Sequence, residues 1–121
     1  MNKEAIVIAG SRGIGKAIAN SFQDMGINVT ATSKGDLDTS DLSSVKNFIN
    51  NHKETDILVL NTGGPPAIDF FDITEEDFCK YHNQLFLSFC IMLQNIKIRE
   101  NGFVFLVSSF NIKEPNPKLV L

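Results

Sequence analysis

Residues 5–16 read Ala5-Ile6-Val7-Ile8-Ala9-Gly10-Ser11-Arg12-Gly13-Ile14-Gly15-Lys16, and this stretch decides the fold. The unbroken apolar run from Ala5 to Ala9 has the pattern of a parallel strand buried on both faces. Three glycines make a tight turn, and Ile14, Ile18, Phe22 and Met25 then recur at helical spacing until Gly26 supplies the stop. Working outward, residues 28–32, 57–60 and 103–107 read as three further strands. Ser40 is expected to cap a short helix whose inner face carries Leu42, Val45, Phe48 and Ile49. Thr74-Glu75-Glu76-Asp77 reads as a capping box with Asp in the usual Glu position. The helix it starts is amphipathic at Phe78 and Tyr81. It turns apolar nearly all round over residues 85–93, which predicts burial on more than one side. Alternating strands and helices imply a parallel α/β sheet with helices on both faces, and in such sheets ligands bind beyond the carboxyl ends of the strands. Three features converge there: the glycine turn, Asn61-Thr62-Gly63-Gly64, and Ser108-Ser109.

The bulk properties narrow the class. A chain of 121 residues suits one domain, spanning 1–121. An apolar content of 43% and a charged content of 21% are those of a soluble globular protein. Eleven basic against fourteen acidic side chains give −3, so no basic field points to nucleic acid or a membrane surface. The opening residues resemble no signal peptide, and no apolar run is long enough to span a bilayer; a cytoplasmic location is expected. Cys79 and Cys90 lack metal-ligand spacing and read as reduced, buried thiols, with no metal site. His52 and His82 read as structural or solvated, and Tyr81 as a core position in mid-helix.

Gly10, Gly13 and Gly15 let the backbone approach a phosphate, and the following helix start offers free N–H groups and a positive dipole. Gly10, four residues, Gly15 and Lys16 nearly match the loop of nucleoside triphosphatases. That motif needs Ser or Thr next, to ligate magnesium, and Ala17 has no oxygen. The third strand also ends in Asn61 where such a site has an acid. A dinucleotide is therefore the expected ligand. An NAD-preferring fold carries an acid at the end of the second strand, for the ribose 2′-hydroxyl. This strand ends Thr32-Ser33-Lys34, and Arg12 and Lys34 suit a 2′-phosphate instead, so NADP(H) is preferred and NAD(H) possible. At the third strand end, Asn61 can tie neighbouring strands together, while Gly63 and Gly64 let the backbone lie against a nicotinamide ribose.

These motifs resemble the short-chain dehydrogenase/reductase family, in the branch labelled 3-oxoacyl carrier-protein reductase-like. Gly10-Ser11-Arg12-Gly13-Ile14-Gly15 is similar to its cofactor loop, T-G-x-x-x-G-x-G, with the first glycine displaced by one, since Ala9 stands in its place. Asn61-Thr62-Gly63 is similar to the family's N-A-G motif. The resemblance implies a Rossmann-type doubly wound parallel sheet, truncated after about four strands, and a homo-oligomeric full-length form. It implies hydride transfer between a nicotinamide and a carbonyl or alcohol substrate. Asp38 takes the position that touches adenine, and Asp36-Leu37-Asp38 replaces a whole helix and part of a strand. Ser109 takes the position of the catalytic serine. The family's tyrosine, about thirteen residues further on, would fall at position 122, beyond Leu121, and the helix asparagine aligns with Leu85. The expectation is a fragment of roughly the first half of the family. A dinucleotide-binding module without catalysis is the alternative.

Overall fold

The computed structural model describes residues 2–64 and 68–107. Strands β1 (Glu4–Val7), β2 (Asn28–Ala31), β3 (Glu54–Leu60) and β4 (Lys97–Leu106) form one parallel sheet in the order β2-β1-β3-β4. Helices α1 (Gly13–Asp24) and α2 (Leu42–Asn51) connect the first three strands. The third crossover carries α3 (Glu75–His82), a π-turn (Asn83–Leu87) and α4 (Ser88–Asn95). The chain goes from β1 outward to β2, then back across β1 to β3. The crevice between β1 and β3 is thus the topological switch point at which such sheets bind ligands.

Strand alternation sorts the core into two layers. Ala5, Val7, Ile57 and Val59 point to one face and pack with Ala19 of α1. Ile6, Ile8, Leu58 and Leu60 point to the other, against Val45, Phe48 and Ile49 of α2 and Phe89 and Met92 of α4. Each valine, isoleucine, leucine, phenylalanine or methionine among them contributes about 1.5–3 kcal/mol when fully buried, so these two layers hold the sheet against its helices.

Several expectations need correction. Asp41, not Ser40, caps α2, its carboxylate accepting from the Ser43 N–H at 3.0 Å. Ser40 instead donates to Asp38. The α3–α4 region is buried along one side only: Ser88, Phe89 and Met92 are inside, while Phe86 and Leu93 are exposed. A helix apolar nearly all round is not covered all round here, because no second layer among the described residues lies over its outer side. Cys79 is exposed and Cys90 half-buried, and both are free thiols. The Thr74 capping box forms with both of its hydrogen bonds. Residues 32–41 run from β2 to α2 without a strand, which leaves β2 as a sheet edge. The other edge is β4, whose Phe103, Val104, Phe105 and Leu106 are exposed on both faces.

At the amino ends of the strands a charge clamp joins three of them. The bulge between the Thr55–Ile98 and Ile57–Phe103 pairs carries Arg99 back over the sheet, with Asn101 at φ 67° turning the chain. The Arg99 guanidinium contacts Glu4 at 2.8 Å, Glu54 at 3.1 Å and Asp56 at 3.2 Å. The Glu4 N–H, first of all, holds the Asp56 carboxyl below its ordinary 3.8; burial opposes this, and the hydrogen bond and charge of Arg99 add to the lowering. A carboxyl depressed on folding stabilises the protein above its unfolded value and loses that contribution as pH falls through the folded one. Arg99→Met is therefore expected to lower the urea midpoint near neutral pH. The gap from the parent chain should close as pH drops below 3.8. A gap that persists in acid would show that the clamp is not ionic.

Candidate functional site

At the carboxyl ends of the strands lies a cleft of about 580 Å³. That is the size of cavity in which small organic ligands are commonly held, roughly 300–1,000 Å³. Its floor is the glycine turn. Ala9 has a φ of 55°, so the left-handed conformation falls on an alanine at the place where the resemblance puts the first glycine. Gly13 has a φ of 63° with open space around it. Gly10 and Gly15 are needed for a different reason, lack of room. A Cβ on Gly10 would lie 2.9 Å from the Ala31 Cβ and the Val7 carbonyl oxygen. One on Gly15 would run into the carbonyl of Ala9. Arg12 stands at the N-cap of α1 in extended conformation and gives no side-chain cap. The first amides of α1 are therefore left for an anion, as the dipole also favours.

Hydrogen bonds from separate elements hold the turn and the loop after β3. The Ala9 N–H donates to the buried Thr32 hydroxyl at 2.9 Å. Asn61 Nδ2 donates to the Ala9 carbonyl, a long bond of 3.4 Å, and so ties the ends of β1 and β3. The hydroxyls of Thr62 and Thr39 share a hydrogen bond of 3.1 Å. The connection from β2 is organised within itself. The Asp36 carboxylate accepts from the N–H and hydroxyl of Ser33, both at 3.0 Å, and is held below its ordinary pKa by those bonds. Asp38 accepts from the Ser40 hydroxyl at 2.7 Å, which lowers its pKa most; burial opposes this, and the Ser40 N–H and the charges of Lys34 and Lys80 add to it. The carboxylate is thus kept ionised between two lysines.

Of the residues singled out by sequence, Ser11, Arg12, Gly13, Ile14, Lys34, Asp38, Asn61, Thr62 and Gly63 line this cleft. Gly10 and Gly15 lie behind it as close-packed turn residues, and Ser33 is engaged with Asp36. Ser109 and Pro65-Pro66 lie outside the described residues. Sequence reasoning missed the far wall: Lys80 and Tyr81 of α3, and Gln84. Tyr81 is buried as expected, yet the surface it keeps faces the cleft, a placement that helical periodicity cannot reveal. Among the described residues no group of three His, Cys, Asp or Glu is placed to hold a metal ion, and no helix is long and apolar enough to cross a membrane.

Fold and cleft together define a Rossmann-type parallel α/β architecture with its cleft at the switch point. The sequence matches no family model and no curated protein. Solved structures do match. A short-chain dehydrogenase/reductase of glucose/ribitol dehydrogenase type from Brucella melitensis superposes with a TM-score of 0.87 at 15% identity, over 98% of this chain and 61% of its own. A 4-hydroxyisoleucine dehydrogenase complexed with NADH gives 0.85 at 17%, over 97% and 60%. A small-chain dehydrogenase in complex with NADPH gives 0.82 at 20%, over 98% and 56%. The chain therefore has the short-chain dehydrogenase fold and spans about three fifths of the length of these three.

The turn makes two opposite glycine predictions. Ala9→Gly should raise stability by about 1 kcal/mol, because a left-handed alanine costs roughly that much. Gly15→Ala should lower it by about 1–3 kcal/mol, since the added methyl meets backbone and cannot be relieved by a rotamer change. Denaturant midpoints of the two variants check both signs.

Proposed function

We propose that this chain is the cofactor-binding part of a short-chain dehydrogenase/reductase, and that it takes NADP(H) in preference to NAD(H). The supporting observation is the meeting, in one cleft, of an uncapped helix start, Arg12, Lys34 and the Asn61-Thr62-Gly63 loop. The amides at the start of α1 suit the pyrophosphate, and Arg12 and Lys34 suit the 2′-phosphate. Asp38 suits the adenine, and the loop after β3 suits the nicotinamide ribose. When bound, the nicotinamide supplies a hydride for a carbonyl, or accepts one from an alcohol. Ser109 is assigned to hold the substrate oxygen and stabilise the charge that develops there. The two neighbours crystallised with NADH and with NADPH support dinucleotide binding without choosing between the cofactors. The 3-oxoacyl carrier-protein reductase label, the homo-oligomer and the cytoplasmic location belong to the same proposal; the exposed Phe86 and Leu93 on the α3–α4 region suit a subunit contact. Binding without catalysis is the second reading, favoured by Leu85 in the π-turn where the family carries its asparagine.

Titration of the chain with NADPH, NADH and magnesium ATP tests the assignment. NADPH is expected to bind most tightly. Arg12→Ala should weaken NADPH about tenfold, as expected for one charged hydrogen bond, and NADH much less. Equal losses would sink the 2′-phosphate argument, and ATP binding without NADPH binding would overturn the dinucleotide reading. Ser109→Ala should leave NADPH affinity unchanged and lower any carbonyl reduction about 100-fold or more. Carbonyl reduction absent from the parent chain would favour the second reading.

A further inference from the structure

The far wall of the cleft is not one continuous α-helix. Over Asn83–Leu87 the backbone takes π-type hydrogen bonding, and the Ser88 N–H reaches back to the Asn83 carbonyl. A π-turn places one extra residue in the helix and shifts everything after it round the axis. Such turns concentrate at functional sites, because they are otherwise a cost. Here the disturbance is stabilised from inside the protein. Ser88 is fully buried, and its hydroxyl donates to the Gln84 carbonyl at 3.1 Å.

The Gln84 side chain enters the cleft, where its Nε2 donates to the Gly63 carbonyl at 2.7 Å. That bond matters because of what Gly63 lacks. A Cβ built on Gly63 or on Gly64 would meet nothing within 4 Å among the described residues, so those residues do not fix this part of the loop by packing. Asn61 is tied to β1 and Thr62 to the connection after β2. Among the described residues, Gly63 is tied by Gln84.

We propose that Gln84 is a positioning residue: held in place by the π-turn and Ser88, it latches the Gly63 carbonyl and sets the loop after β3 against the nicotinamide half of the dinucleotide. The proposal rests on the dinucleotide reading above. A cleft preset in this way binds without first ordering two glycines, which is where the affinity comes from. The latch acts on one half of the ligand only, since Arg12, Lys34 and Asp38 of the adenosine end belong to other segments.

Two substitutions in the chain test the latch. Gln84→Met keeps the length of the side chain and removes the donor, whereas Gln84→Glu sets a carboxylate against the Gly63 carbonyl. Each is expected to weaken NADPH about fivefold to tenfold, the worth of one hydrogen bond. Affinity for 2′,5′-ADP, which carries the adenosine end alone, should stay within about twofold. Amide hydrogen exchange without nucleotide should quicken at Gly63 and Gly64 and not in β1 or β3. Unchanged NADPH affinity in both variants would overturn the proposal. So would an equal loss of NADPH and 2′,5′-ADP together with faster exchange throughout the sheet, since that would mark a merely structural role. A parent chain that binds neither ligand would remove the dinucleotide reading, and the latch with it.

Discussion

The backbone of Ala9 is the knot on which the upper end of this molecule depends. Its N–H is taken by Thr32 at the end of β2, and its carbonyl receives Asn61 from the end of β3. The same carbonyl lies so near Gly15 that α1 can start there only without a side chain. Three strand ends and one helix start are thereby fixed about one peptide unit, and the cleft is the space they leave. The left-handed φ of Ala9 follows from that crowding: the chain must turn at once, and strain of about 1–2 kcal/mol is accepted to do it.

Much of this was legible in the sequence because it is written locally. Ala5 to Ala9 could be little but a buried strand, Gly26 marks the end of α1 with a φ of 82°, and Thr74 with Asp77 announces α3. The shortness of the connection after the second strand implied, by resemblance, the loss of a helix and part of a strand, and residues 32–41 run to α2 with neither. What stayed hidden depends on partners far apart in the chain. Arg99 meets Glu4, Glu54 and Asp56 only because a bulge folds it back, and no spacing signals that. The π-turn breaks the periodicity on which helical reading rests, so the bond of Gln84 to the Gly63 carbonyl could not be foreseen from spacing. Exposure also escaped: Cys79, Phe86 and the β4 side chains have the composition of a core, but burial depends on what lies opposite.

The two ends of the cleft are held in different ways. The loop after β3 depends on three separate elements, through Asn61, Thr62 and Gly63. The connection after β2 instead carries most of its own support, with Ser33 bound to Asp36 and Ser40 bound to Asp38. Charge follows the same division. Lys34 of this connection and Lys80 of the opposite wall both line the cleft and both act on the charge of Asp38, so this end of the cleft carries cations from two elements.

That self-contained connection has an evolutionary consequence. Lys34 and Asp38 sit four positions apart in a loop whose shape comes from its own serines and aspartates, at an uncovered edge of the sheet. Leu37 of the same loop is anchored in the core layer of Ile6, Ile8 and Leu58, whereas Lys34 is exposed and Asp38 half-buried, so changes at those two positions need not disturb either layer. What this loop presents to the cleft at those two positions is thus separable from folding, and a few codons there can be exchanged by drift or by design while the scaffold goes on as before.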